Sequence, residues 1–157
     1  MDITQGHSEQ YRPLRGYLTL MAAFGTLSGR GLVAADRAGR LPERFSASDL
    51  GLAAVATYKL SRLISRDRIT SGFRAPFTTF QDDSGHGEVE EAARGRGLRR
   101  AVGELLVCPD CVGLWVASGF MAGLVARPRA ARTVAATLVI HAVSDALQTA
   151  DEKIRQA

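Results

Sequence analysis

The sequence predicts an all-α fold: a small polytopic membrane bundle of about four transmembrane helices with a cytoplasmic middle loop. Three observations carry that expectation. Four apolar stretches, residues 16–35, 50–64, 112–126 and 133–150, are separated by basic connecting segments. Alanine and glycine are abundant, and only 6% of the 157 residues are aromatic. Such a composition suits helices that pack closely, in lipid or in water. The arginines are also divided unevenly between the connections, as they are in chains with a sided membrane topology. A chain of this length is about one domain.

In the tail, residues 1–15, Asp2, Glu9, Arg12 and Arg15 precede any apolar run, so a cleavable signal is not expected. The first stretch is interrupted by Arg30 and the second is preceded by Pro42 and by Ser46-Ala47-Ser48-Asp49. Those polar residues are good N-caps for a helix entering at Leu50. Within that helix Lys59, Arg62 and Arg66 share one face and leave Leu60, Leu63 and Ile64 on the other. The third stretch follows Cys108-Pro109-Asp110-Cys111, the only two cysteines, and contains Trp115, the only tryptophan. Pro109 fits a first helical turn, Cys108 falls near the cap, and Cys111 takes the third helical position. Pro128 closes the segment, and Asp145 breaks the fourth.

Between the second and third stretches, residues 69–80 are rich in threonine, serine and phenylalanine around Pro76. They read as extended or turn-like, with phenylalanines suited to a membrane surface. Residues 81–97 read as an exposed, mobile, glycine-rich connector. Residues 98–107 regain helical spacing through Leu98, Val102, Leu105 and Leu106. No internal repeat is present. The expected organisation of residues 1–157 is a single domain: tail 1–15, helical hairpin 16–65, polar loop 66–107, helical hairpin 108–150 and tail 151–157.

The net charge is +4, and mean hydropathy is near zero at −0.01, low for a membrane protein but diluted by the polar middle. None of the four stretches reaches the roughly 18 uncharged residues of an unambiguous span. Arginine and lysine near helix ends snorkel, however, so shorter apolar centres can cross. If all four cross, the two tails and the middle loop carry eleven basic residues and the opposite side carries six. The bias toward positive charge inside then places both termini, the middle loop and the two cysteines on the cytoplasmic side of a cell membrane. That compartment is reducing, so a permanent disulfide is not expected. A soluble helical bundle is the competing arrangement, because Arg30, Lys59, Arg62 and Asp145 interrupt the apolar runs.

Cys108 and Cys111 are the foremost candidate site. Thiols at a helix N-terminus are favoured as thiolates by the dipole and the free amides. Three chemistries stay open for them: packing in reduced form, a redox dithiol, or ligation of zinc or iron. A structural zinc needs four ligands, so the others would come from His141, Asp145, a loop carboxylate or a second subunit. His141 and Asp145 are four apart on one helix face and suit a structural pair, a metal ligand pair or a proton relay. Asp67 and Arg74 flank the exit of the second helix; a salt bridge between them is expected. An anion site of Arg66, Arg68 and Arg74 for lipid head groups is the sharper alternative. His7 and His86 read as solvent-facing. Gly95-Arg96-Gly97 lacks the context of a phosphate loop, no Ser-His-Asp arrangement is evident, and no motif calls for nucleic acid.

Several of these residues together carry a family resemblance. Ala56-Thr57-Tyr58-Lys59-Leu60-Ser61-Arg62-Leu63-Ile64 through Asp67, Arg74-Ala75-Pro76-Phe77, Gly103-Glu104-Leu105-Leu106-Val107-Cys108-Pro109-Asp110-Cys111 with Trp115, and Ser144-Asp145-Ala146-Leu147-Gln148 resemble the DUF1360 family (domain of unknown function 1360) of small bacterial membrane proteins. The likeness covers about residues 49–148. It implies a multi-pass, mostly helical membrane protein and assigns no activity. The function expected first is therefore non-enzymatic: a membrane scaffold or partner-binding protein. Its partners would be the lipid bilayer and a protein or a second copy. Metal binding and thiol redox chemistry are the alternatives.

Overall fold

The computed structural model describes residues 12–85 and 87–156. Asp2, His7, Glu9 and His86, named above, lie outside them. The order of elements is α1 (Leu14–Arg37), α2 (Ala47–Arg66), α3 (Ser71–Arg74), β1 (Thr78–Gly85), β2 (Glu88–Ala93), α4 (Gly97–Val107), α5 (Pro109–Ala126) and α6 (Pro128–Gln156). The chain divides into two units: one joins Met1–Arg30 to Arg62–Val112, and the other joins Gly31–Ser61 to Gly113–Ala157.

The first unit corrects the all-α expectation. Its polar stretch is not a mobile connector but holds an antiparallel hairpin, with Thr78 opposite Ala93 and Gly85 opposite Glu88. Two features of the sequence make this possible. Thr78, Thr79 and Phe80 are residue types at home in a strand. Gly85 and Gly87 take positive φ, +75° and +77°, which a tight reversal needs and a side chain resists. Val89 turns inward and is buried. The hairpin is tied to the exit of α2 by a bridge between Asp67 and Glu88 and by the Arg68 amide donating to the Gly87 carbonyl at 2.9 Å.

Helix α4 lies against the hairpin through a glycine. A Cβ on Gly103 would stand 2.5 Å from the Phe77 carbonyl oxygen and 3.0 Å from the Ala93 Cβ. Helix α1 approaches α4 in the same way, since a Cβ on Gly16 would stand 2.6 Å from the Ala101 Cβ. Both are contacts of backbone with neighbour, possible only without a side chain.

The second unit packs α2, α5 and α6 around Ala53, Ala56, Phe120 and Ala135, with Leu60, Val116 and Leu138 against them. Three of those four core residues are alanines, which lets the helix backbones come close. Helices α5 and α6 both open on proline, at Pro109 and Pro128, where the missing N–H costs nothing. Helix α6 runs to Gln156, well past the expected end of the fourth stretch at residue 150.

Among the described residues, three helices are long and apolar enough to cross a membrane: α1, α5 and α6, with mean hydropathies of 1.3, 1.4 and 1.2 over their most apolar stretches. Only 0%, 11% and 6% of those stretches is buried within the protein, so their apolar surface faces outward, as lipid-facing helices require. The expected fourth span, α2, does not reach this standard, because Asp49, Lys59 and Arg62 all lie within it. The described residues are thus mostly helical, with three candidate membrane helices and one small sheet.

The glycine contacts yield a test. Gly103→Ala drives a methyl into backbone and should cost about 1–3 kcal/mol. Gly25→Ala in α1, where a Cβ meets no atom within 4 Å, should be neutral or stabilising by helix propensity. Thermal unfolding of the purified protein, followed by circular dichroism, checks both.

Candidate functional site

Cys108 is shared by two helices. It ends α4 in an extended conformation, φ −106° and ψ 104°, and its amide donates to the Leu105 carbonyl. Its own carbonyl accepts the first helical bond of α5, from the Val112 amide at 3.0 Å. Its Sγ accepts from the Cys111 amide at 3.3 Å. This is the arrangement of an N-cap bonding the third helical amide, with sulfur in the place usually held by a serine or aspartate oxygen. Both thiols are free, Cys108 half-buried and Cys111 exposed, and Trp115 is half-buried one turn further along α5. Chemically, the pair offers two soft ligands or a dithiol. Among the described residues no group of three or more His, Cys, Asp or Glu side chains gathers where a metal ion would be held. The cysteines belong to the first unit, and His141 and Asp145 belong to the second.

His141 and Asp145 do pair on α6, with Nδ1 and Oδ1 3.1 Å apart. What the sequence did not reveal is the third member. The Lys59 ammonium on α2 donates to the other oxygen of Asp145, and the Lys59 side chain is only 10% exposed. A second ion pair joins the same two helices: Arg132 of α6 donates to both oxygens of Asp49 of α2, at 2.7 and 2.8 Å. The order of the two links, Asp49 with Arg132 and Lys59 with Asp145, makes α2 and α6 run in the same direction. One available signal was that Lys59 and Asp145, opposite in charge, each break an otherwise apolar helix.

In the first unit, Arg74 is buried, and its partner differs from the expected one. Its carboxylate is Glu91 on β2, with Nε 2.8 Å from Oε2; the two side chains are 1% and 2% exposed. Asp67 is met only through its carbonyl, by Nη2 at 3.0 Å, while its carboxylate accepts from the Ile69 amide at 2.8 Å. Nη1 donates to the Ile64 carbonyl and to Thr70 Oγ1, both at 2.6 Å. The guanidinium therefore closes the C-terminal end of α2, where free carbonyls and the helix dipole favour a cation. Thr78 Oγ1 at 2.8 Å and the Ser71 hydroxyl complete the shell of Glu91. The three arginines of the alternative anion site each lie against a carboxylate in this arrangement. Arg68 is 2.7 Å from Asp83 and Arg66 is 4.0 Å from Glu90. Helix α1 is held to α4 by the Tyr17 hydroxyl on Glu104, which also accepts from Arg100 at 2.9 Å.

Burial pushes the Glu91 carboxyl up, but the hydrogen bonds from Arg74, Ser71 and Thr78, with the arginine charge, outweigh it and hold the carboxyl below the usual glutamate range. A depressed folded value means that the stabilisation is full at neutral pH and is lost as pH falls through that lowered value.

Comparison with known proteins adds a family. The family described as "Protein of unknown function (DUF1360)" matches residues 52–151. The chain is also similar to the sporulation protein YjcA of Bacillus subtilis (strain 168), at 30% identity over 101 residues, covering 62% of this chain and 86% of that protein. No solved structure matches.

Two outcomes follow from this geometry. Protection of the hairpin amides, taken relative to intrinsic exchange rates at each pH, should stay high from neutral to mildly acidic pH and fall below the usual glutamate range. Glu91→Gln should abolish that pH dependence and weaken the unit by about 3–5 kcal/mol, because the Arg74 charge is left buried. For the turn, Cys108→Ser keeps a capping acceptor and should unfold with the wild type, whereas Cys108→Ala should lose about 0.5–1 kcal/mol. Equal losses for serine and alanine in thermal unfolding would mean that the sulfur does more than cap.

Proposed function

The match over residues 52–151 makes this chain a member of the DUF1360 family, and from that membership and the pairing of α2 with α6 we propose a non-enzymatic, four-span membrane scaffold. Both termini and the hairpin unit face the cytoplasm. The hairpin and the Cys108–Cys111 turn form the surface that binds a protein partner or a second copy.

The α2–α6 pairing carries this reading. Helix α2 is too polar to cross a membrane by itself, yet Asp49 and Lys59 are each matched by an opposite charge on α6. Ionisable groups within membrane helices are tolerated when paired toward the bundle interior. A helix zipped in the same direction to a spanning helix crosses with it. The count of four spans, with α1 and α5 opposed to α2 and α6, then agrees with the bias of eleven basic residues against six. The scaffold half of the proposal is supported by the built character of the hairpin unit. A buried Arg74–Glu91 pair and a bridge to Asp67 hold a shaped surface where a bare linker would have sufficed for topology.

A second reading is favoured by one observation, the adjacency of the two thiols. Two copies of the turn would supply four cysteines to zinc or iron. Stoichiometric metal in purified wild type that is lost in Cys108→Ser/Cys111→Ser identifies that case by elemental analysis.

The topology is testable in a background lacking both cysteines. Arg40→Cys and Arg129→Cys should react with a membrane-impermeant maleimide on intact cells, and Ser84→Cys in the hairpin only after lysis. Labelling of Ser84→Cys from outside, or recovery of the protein in the soluble fraction, would sink the proposal.

A further inference from the structure

The second unit carries an apolar groove of about 360 Å³, within the usual range for ligand sites. Its walls are Leu60 of α2, Val116, Gly119 and Gly123 of α5 and Val134 of α6, and Arg127 stands at the end where α5 turns into α6. We infer that this groove holds one acyl chain of an anionic phospholipid, with the phosphate at Arg127.

Three features support that occupant. The first is shape. From Arg127 back to Val116 along α5 is eleven residues, about 16 Å at the helical rise. The groove is thus long and parallel to two helices that could span a membrane, as an acyl chain lies. Its floor is open because Gly119 has no side chain: a Cβ there meets no atom within 4 Å. The second feature is polarity. The walls are apolar, with Phe120 among the aliphatic side chains, and such a surface is filled by hydrocarbon in preference to water. The third is charge. Arg127 is exposed, and the described residues give its guanidinium no carboxylate, whereas Arg132, five residues on, is committed to Asp49. With Arg129 also exposed beside it, the corner carries uncompensated positive charge where a head group would lie. The same charge disfavours a second copy whose two-fold axis passes at this corner, since that contact brings the two Arg127 side chains together.

The inference rests on the membrane reading above, and the two fail separately. Soluble protein would overturn both, while membrane-extracted protein without lipid overturns this one alone. The full-length protein is extracted, placed in nanodiscs of phosphatidylglycerol or of phosphatidylcholine with identical acyl chains, and released for native mass spectrometry. One phosphatidylglycerol per chain is expected to remain, with phosphatidylcholine retained much more weakly. Arg127→Gln should lower phosphatidylglycerol retention about fivefold. Gly119→Leu, which fills open space, should abolish retention of either lipid with thermal unfolding unchanged. Equal retention of the two lipids, no effect of either substitution, or a dimer that Gly119→Leu dissociates would each overturn the proposal, the last by naming a second copy as the occupant.

Discussion

The pairing of α2 with α6 is the constraint on which the rest of the second unit depends. Three cationic or anionic side chains, Asp49, Lys59 and Arg132, and the Asp145 carboxylate meet as two opposite-charge links between these helices. Asp49 and Lys59 are the buried members, each with a side chain about 10% exposed, so removing Arg132 or Asp145 would leave a buried charge without its partner, a large penalty. The links also leave little freedom of register. Ala53 and Ala56 lie between Asp49 and Lys59 on α2, and Ala135 lies between Arg132 and Asp145 on α6, so the charges frame the place where the small side chains meet. The hydrophobic contact supplies closeness without direction; the ion pairs supply direction and register.

The first unit solves a different problem by similar means. The end of α2 has carbonyls to satisfy, and the hairpin has little apolar surface with which to hold itself, since β1 is exposed over nearly its whole length. Arg74 answers both needs. It fills the helix end with donors and accepts the hairpin's Glu91 as its counter-ion. Gly103 then allows α4 to close on the hairpin backbone. An electrostatic knot, more than a hydrophobic core, organises this unit.

Much of this was legible in the sequence and some of it was not, for physical reasons. Helix starts were legible where proline and capping residues mark them, as at Ser46, Pro109 and Cys108, because those signals are local. The hairpin was not, because a strand exposed on both faces leaves no alternating pattern, and Pro76 with several glycines reads first as loop. The Cys108 cap was anticipated from position alone. The His141–Asp145 pair follows from helical spacing, but Lys59 joins it from 86 residues away, a distance across which local pattern says nothing. Arg74 was singled out with the wrong carboxylate: Asp67 is near in sequence, whereas Glu91 is one of several acids in the hairpin and nothing in the sequence distinguishes it. The stretches that carry the family resemblance turn out to contain Lys59, Arg74, Gly103, Glu104, Cys108 and Asp145, each of which makes a specific contact.

The separation of Lys59 from Asp145 bears on how the protein is made. In the membrane arrangement proposed, α2 leaves the ribosome with its charges unmatched, while the helix that neutralises them is 86 residues behind. At ordinary elongation rates that gap lasts about 4–17 s. During this interval α2 has no partner that would let it reside in hydrocarbon, so it waits at the bilayer surface or beside the insertion machinery. Insertion of α2 therefore waits until the retained segment is drawn in by α6, and a nascent chain truncated before α6 is an orphan with one helix stranded, a ready target for membrane quality control.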